Sequence, residues 1–192
     1  MSRGSPRDRG RRGAVLALAT AAALALSGCA VTGAGVPGNV GVDAFEIEGR
    51  VSVRYGDESL AGRLAWVHAR GRDEIGLASP LGNQIAQIVR SPGEVVLIDA
   101  QQQRHRAADA ESLTERQLGW RLPLTGLTDW VRARSTAPGQ RDARGRLVAL
   151  SEAGWQIAFS YDADATLPRR LVLSYAGGDR PLEIRLVIDA WK

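Results

Sequence analysis

The chain has 192 residues, with 25 Lys and Arg against 21 Asp and Glu, and a single cysteine, Cys29. One cysteine excludes a disulfide framework and any cysteine-built metal site. The positive surplus lies in Arg3, Arg7, Arg9, Arg11 and Arg12, opposed only by Asp8, and from residue 29 onward basic and acidic residues balance at 20 each. The high isoelectric point therefore says nothing in favour of a nucleic-acid partner, and none is expected.

Behind the basic start comes an apolar run, Ala14 to Leu26, broken only by Thr20. It is too short to span a bilayer, which takes roughly 20 residues. A basic segment followed by a short apolar one is the pattern of a secretory signal. Its end, Leu26-Ser27-Gly28-Cys29, resembles the bacterial lipobox. That resemblance implies cleavage before Cys29 and acylation of its thiol and new amine. Residues 1–28 thus read as a signal peptide and 29–44 as a lipidated cysteine with a Gly-rich, aperiodic tether. Residues 45–192 read as one domain large enough to bury a core.

From Phe45 the pattern alternates strictly. Phe45, Ile47, Gly49, Val51, Val53 and Tyr55 fall on one face, and Glu46, Glu48, Arg50, Ser52 and Arg54 on the other. A period of two with one polar face predicts a half-buried antiparallel strand. A second strand carries Leu60, Gly62, Leu64 and Trp66. Further strands are expected at 74–78, 84–90, 94–99, 102–106, 146–150, 155–161, 170–176 and 182–191. Between the two groups, Asp109 is placed to cap a helix over 110–118 that Gly119 stops. Thr125 is placed to cap a second helix, with Leu127, Trp130 and Val131 on one side.

This order predicts a mainly β domain: one unclosed antiparallel barrel, or strongly curved sheet, of roughly ten to eleven strands with a short helical lid. A barrel of this size is either packed solid or holds a ligand. Of the five tryptophans, Trp66, Trp130 and Trp155 fall on apolar faces, Trp120 adjoins a helix end and Trp191 the terminus.

No nucleophile elbow, phosphate loop or zinc-protease motif is present in the sequence. His68 closes a predicted strand and His105 sits in a polar edge strand, so both are expected at the surface. Asp99, Asp109 and Glu111 lie beside turns and a helix start, where carboxylates serve as caps. No catalytic residue, metal site or cofactor is expected.

Several fragments, in order, resemble the outer-membrane lipoprotein receptor family LolB. They are Phe45 to Val53, Leu64-Ala65-Trp66, Ser79-Pro80-Leu81-Gly82, Leu118-Gly119 with Leu122-Pro123, and Leu127, Trp130 and Val131. Gly154-Trp155-Gln156-Ile157, Leu167-Pro168 and Leu186 to Trp191 follow. Ala133 stands where that pattern expects Gly, and Phe159 where Tyr is commoner. The soluble carrier LolA shares the fold but is not lipidated, so the lipobox favours the receptor.

The resemblance implies an outer-membrane receptor of a Gram-negative bacterium, anchored at Cys29 with its domain in the periplasm. It would accept lipoproteins from LolA and place them in the inner leaflet, meeting outer-membrane phospholipid as it does so. No oligomer is expected. The acyl chains would sit in an apolar cavity with Ile47, Val51, Leu64, Trp66, Trp155, Ile157 and Leu173 as candidate walls, and Leu118, Leu127 and Trp130 under the lid. The resemblance assigns the Pro80-Leu81-Gly82 loop to membrane insertion. A leucine at a turn has no core to join, although folding back onto the sheet is the competing expectation. The rival to the whole reading is a lipid-anchored module that binds another envelope protein without an acyl cavity.

Overall fold

The computed structural model describes residues 43–192; the signal segment, Cys29 and most of the tether lie outside them. The strands are β1 (Phe45–Tyr55), β2 (Glu58–Ala69), β3 (Arg72–Ala78), β4 (Gln84–Ser91), β5 (Glu94–Asp99), β6 (Arg104–Ala107), β7 (Gly139–Arg141), β8 (Leu147–Glu152), β9 (Trp155–Ser160), β10 (Arg170–Tyr175) and β11 (Leu182–Trp191). They form one antiparallel sheet in the order β6-β5-β4-β3-β2-β1-β11-β10-β9-β8-β7. Every neighbour is a chain neighbour except β1 and β11, which bring the two ends of the domain together at the sheet's centre. The free edges, β6 and β7, are joined only through α1 (Ala110–Leu118) and α2 (Leu124–Trp130). Topology alone therefore carries the helical segment from one edge of the curled sheet to the other.

Period two decides which side chains enter the core. Phe45, Ile47, Val53, Trp66, Ile157, Leu171, Leu173, Ile184 and Ile188 are all buried, while Glu48, Arg50, Arg54 and Arg185 between them are exposed. Curvature needs close strand approach, and two glycines permit it. A β-carbon on Gly49 would stand 2.2 Å from the Val187 carbonyl oxygen, and one on Gly62 2.3 Å from that of Ala78. Gly49 adjoins a register shift between β1 and β11, the kind of bulge that bends a sheet.

The first helix follows the expected pattern. Asp109 accepts the Ser112 N–H at 2.7 Å, which holds its carboxyl below the usual range, and Gly119 ends the helix with φ +80°. The second does not. It begins at Leu124, its N-cap is Pro123, and Thr125 lies inside it making no cap. Proline is already set for a helix start and lacks the N–H that would need a partner. Strand β7 had no sequence signature, because all three of its residues are exposed and none alternates in polarity.

Candidate functional site

Beneath the helices lies a cavity of about 30 Å³ walled entirely by apolar side chains. Val51, Leu64, Trp66 and Leu173 border it from the sheet and Leu127 from α2. Ile75, Leu77, Ile184 and Leu186 complete the sheet side, and Trp120 and Leu122, in the link between the helices, complete the cover. None of these six was among the expected cavity walls. The alternation marks the four strand residues as inward but cannot say which inward residues meet a void. Trp120 and Leu122 belong to no periodic pattern.

The remaining candidate walls lie elsewhere. Ile47 and Ile157 are fully buried in the packed core, and Leu118 is half-buried on α1. Trp130 and Trp155 flank a separate groove of about 840 Å³ on the other side of α2. There the Trp130 indole donates to Glu152 Oε2 at 2.7 Å, and the ring stands 6.4 Å from Trp155, which meets Tyr175 at 5.1 Å. Arg121, Arg134, Arg141, Asp129 and Glu111 line the same groove, so it is unsuited to a bare hydrocarbon chain.

A void of 30 Å³ is the room of about one water molecule, whereas a ligand pocket takes about 300–1,000 Å³. As the helices stand, the cavity is closed. Trp120, Leu122 and Leu127 border the void on the helical side.

One end of the cover is tied to a buried polar cluster. Asp73, wholly buried on β3, accepts the Trp66 indole N–H at 2.8 Å and the His68 Nδ1–H at 2.7 Å. Its other oxygen accepts the Arg90 guanidinium, with Nε at 2.6 Å, and Arg90 Nη2 also donates to Thr128 Oγ1 of α2 at 3.2 Å. The surface expectation for His68 is thus corrected. The alternation that turns Leu64 and Trp66 inward turns His68 inward too, and the register sets it opposite Asp73. Its ring stacks on Phe45 at 5.1 Å. His105 is half-buried rather than free at the surface, because Nε2 lies 2.8 Å from Asp99. That contact, with the Gln103 and Gln101 backbone N–H groups, holds the Asp99 carboxyl below its usual range.

The 79–83 loop, between β3 and β4, is a tight turn closed by backbone hydrogen bonds. Ser79 N–H donates to the Asn83 carbonyl at 2.7 Å, Gly82 N–H to that of Ser79 at 2.8 Å, and Gly82 takes φ +90°. Leu81, between Pro80 and Gly82, is 90% exposed, so it is not folded back onto the sheet.

Residues 43–191 match the family described as outer membrane lipoprotein LolB. The chain is 40% identical over 186 residues to an outer-membrane lipoprotein LolB of Thiobacillus denitrificans, covering 92% of this chain and 97% of that one. A protein of the same name from Cupriavidus necator is 35% identical over 194 residues, covering 95% and 98%. One from Pseudomonas paraeruginosa is 40% identical over 159 residues, covering 79% and 75%. Among solved structures, a LolA superfamily protein of Nitrosomonas europaea matches with a TM-score of 0.42 at 12% identity, over 78% of this chain and 86% of that one.

Proposed function

The chain belongs to the LolB family of outer-membrane lipoproteins, and from that premise we propose that it receives lipoproteins from a LolA-type carrier and releases them into the inner leaflet of the outer membrane. The observation that carries this reading is the wholly apolar cavity shared between the sheet and the helical cover. Each methylene kept from water is worth about 0.8 kcal/mol, so a client's acyl chains need such a shelter in transit. To admit them, α1, α2 and the link bearing Trp120 and Leu122 swing off the sheet, exposing Val51, Leu64 and Leu173. Handover then runs downhill from carrier to receptor to bilayer through graded burial, with no catalysis.

Cys29 carries the lipid anchor in this reading. The fourteen chain steps from Cys29 to Asp43 reach at most about 50 Å when extended, and the 79–83 loop lies roughly 20 Å along the sheet from Phe45. The tether is therefore long enough for Leu81 to meet the membrane that holds the anchor. Leu81 gains on the order of 1.5–3 kcal/mol on leaving water, which docks the receptor during release.

A paired measurement tests the function. A fluorescent acyl probe should bind the purified protein, quench tryptophan emission and be displaced by a lipoprotein. The Leu81→Glu variant should bind the probe and accept lipoprotein from the carrier, yet deliver it poorly to liposomes. If the probe does not bind, the domain is a solid core and the rival reading, a module that binds an envelope protein, takes its place. If delivery is normal in the variant, Leu81 has no part in release.

A further inference from the structure

The outer face of the sheet beside the Leu81 loop breaks a local rule. Arg50 on β1 stands directly opposite Arg63 on β2, both exposed. Like charges facing each other across a ladder destabilise it. In the same row Arg50 faces Val187 of β11, and Val187 faces Arg170 of β10; in the next, Ser52 faces Arg185. These four arginines rim a trough of about 610 Å³ whose floor includes Ala61, Val172 and Val187 and whose wall includes Pro80 of the loop.

The four are not equally compensated. Arg50 is paired with Asp189 at 2.9 and 3.0 Å, an aspartate that Arg169 shares, and Arg185 with Glu183 at 2.8 Å. Arg63 and Arg170 have no carboxylate within ion-pair distance among the described residues. Beyond residue 28 the chain is neutral overall, so the surplus here comes from uneven placement. Asp189 answers the Arg50 charge inside the fold, which leaves Arg63 and Arg170 as the two guanidinium groups of the trough available to an anion outside it.

We infer that this trough binds the phosphates of anionic phospholipid headgroups, so that the outer face around Arg63 and Arg170 lies against the bilayer while Leu81 inserts beside it. Guanidinium groups grip phosphate oxygens in a bidentate manner, and the neighbouring small and β-branched floor admits the glycerol backbone. Charge complementarity and the shared Pro80 wall select a membrane surface as occupant. The inference rests on the proposed release function, since it places the receptor on the membrane to which Leu81 is assigned.

The test uses the full chain carrying Cys29→Ala, so that no acyl anchor contributes. Flotation is measured with vesicles of phosphatidylcholine alone and of phosphatidylcholine with phosphatidylglycerol. Each basic side chain at an anionic surface contributes about 1 kcal/mol, or roughly fivefold in affinity. Arg63→Gln with Arg170→Gln should therefore lower binding to the anionic vesicles roughly 25-fold, leave binding to phosphatidylcholine unchanged, and weaken the salt dependence. Arg63→Lys with Arg170→Lys should retain most of the affinity. The control pair Arg104→Gln with Arg116→Gln removes the same charge from exposed sites away from the trough, and should cost far less. Leu81→Glu should weaken binding to both vesicle types, which separates insertion from headgroup capture. Equal loss in the control pair would reduce the effect to net charge and overturn the inference. So would unchanged vesicle binding by the Arg63/Arg170 glutamine pair combined with failure to accept lipoprotein from the carrier, which would assign the trough to an acidic protein. Loss in that pair with no effect of Leu81→Glu would uphold the trough and remove the loop.

Discussion

Strand β3 and the turn after it hold two opposite violations of the rule that apolar groups go inside. Asp73, at one end, is fully buried; Leu81, eight residues later, is 90% exposed. The carboxylate is matched within the chain by Trp66, His68 and Arg90, so burying its charge closes a network instead of leaving a defect. The leucine has no such match. Its turn is held by backbone bonds among Ser79, Gly82 and Asn83 that keep it outward. A violation compensated inside the fold serves the fold, and one left uncompensated points to something outside it. Arg63 and Arg170 fall with Leu81, not with Asp73.

Substitution at the compensated end should have the largest effect. Asp73→Ala would leave the Arg90 charge, the Trp66 N–H and the His68 ring without their acceptor, and should cost about 3–5 kcal/mol of stability in urea unfolding. A loss below about 1 kcal/mol would mean that water replaces the carboxylate, and the contrast between the two ends would collapse.

The cover should respond next. A β-carbon on Gly126 would stand 2.4 Å from the Trp130 ring, so Gly126→Ala must push the ring or the helix aside. The expected cost is about 1–3 kcal/mol, with a shift in the acyl-probe affinity because α2 also carries Leu127. Unchanged stability and probe binding would show that Trp130 moves freely and has no hold on the lid.

A smaller effect of opposite sign belongs to Ala133, just after α2, which sits at φ +52°. Left-handed backbone disfavours a β-carbon by roughly 1–2 kcal/mol, and glycine loses part of that gain to unfolded-chain entropy. Ala133→Gly should therefore raise stability by about 0.5–1 kcal/mol. A fall would place the strain elsewhere.

At the uncompensated end, Leu81→Glu should change stability by less than about 0.5 kcal/mol while delivery to liposomes fails. Destabilisation by more than about 1 kcal/mol would reveal packing that the exposed side chain does not make in the closed form, and Leu81 would rejoin the fold.

Much of this was legible from the chain. Alternation from Phe45 to Tyr55 and from Trp155 to Phe159 fixes strands and their inward faces, because strand side chains point to opposite faces in turn. Asp109 and Gly119 bound α1 because their chemistry is local. The missing glycine at 133 was visible as a departure, and the backbone angle there gives its reason. Expectation failed where a local cue competed with longer-range pairing. Thr125 looked like a cap, but Pro123 starts the helix two residues sooner. His68 looked like a polar strand end, but β3 brings Asp73 opposite it.

The sequence by itself determined the antiparallel strands, the helical insertion between them and the leucine at a turn, all patterns set by neighbours a few residues apart. Tertiary structure alone decided which inward residues border a void and which are plain core, since that depends on how far the sheet curls before the helices cross it. It alone set Trp120 and Leu122 over the cavity, Asp73 among its three partners and Arg63 opposite Arg50. Those placements come from registers between strands and from packing across the barrel, where the energy of a residue is set by side chains far away in sequence.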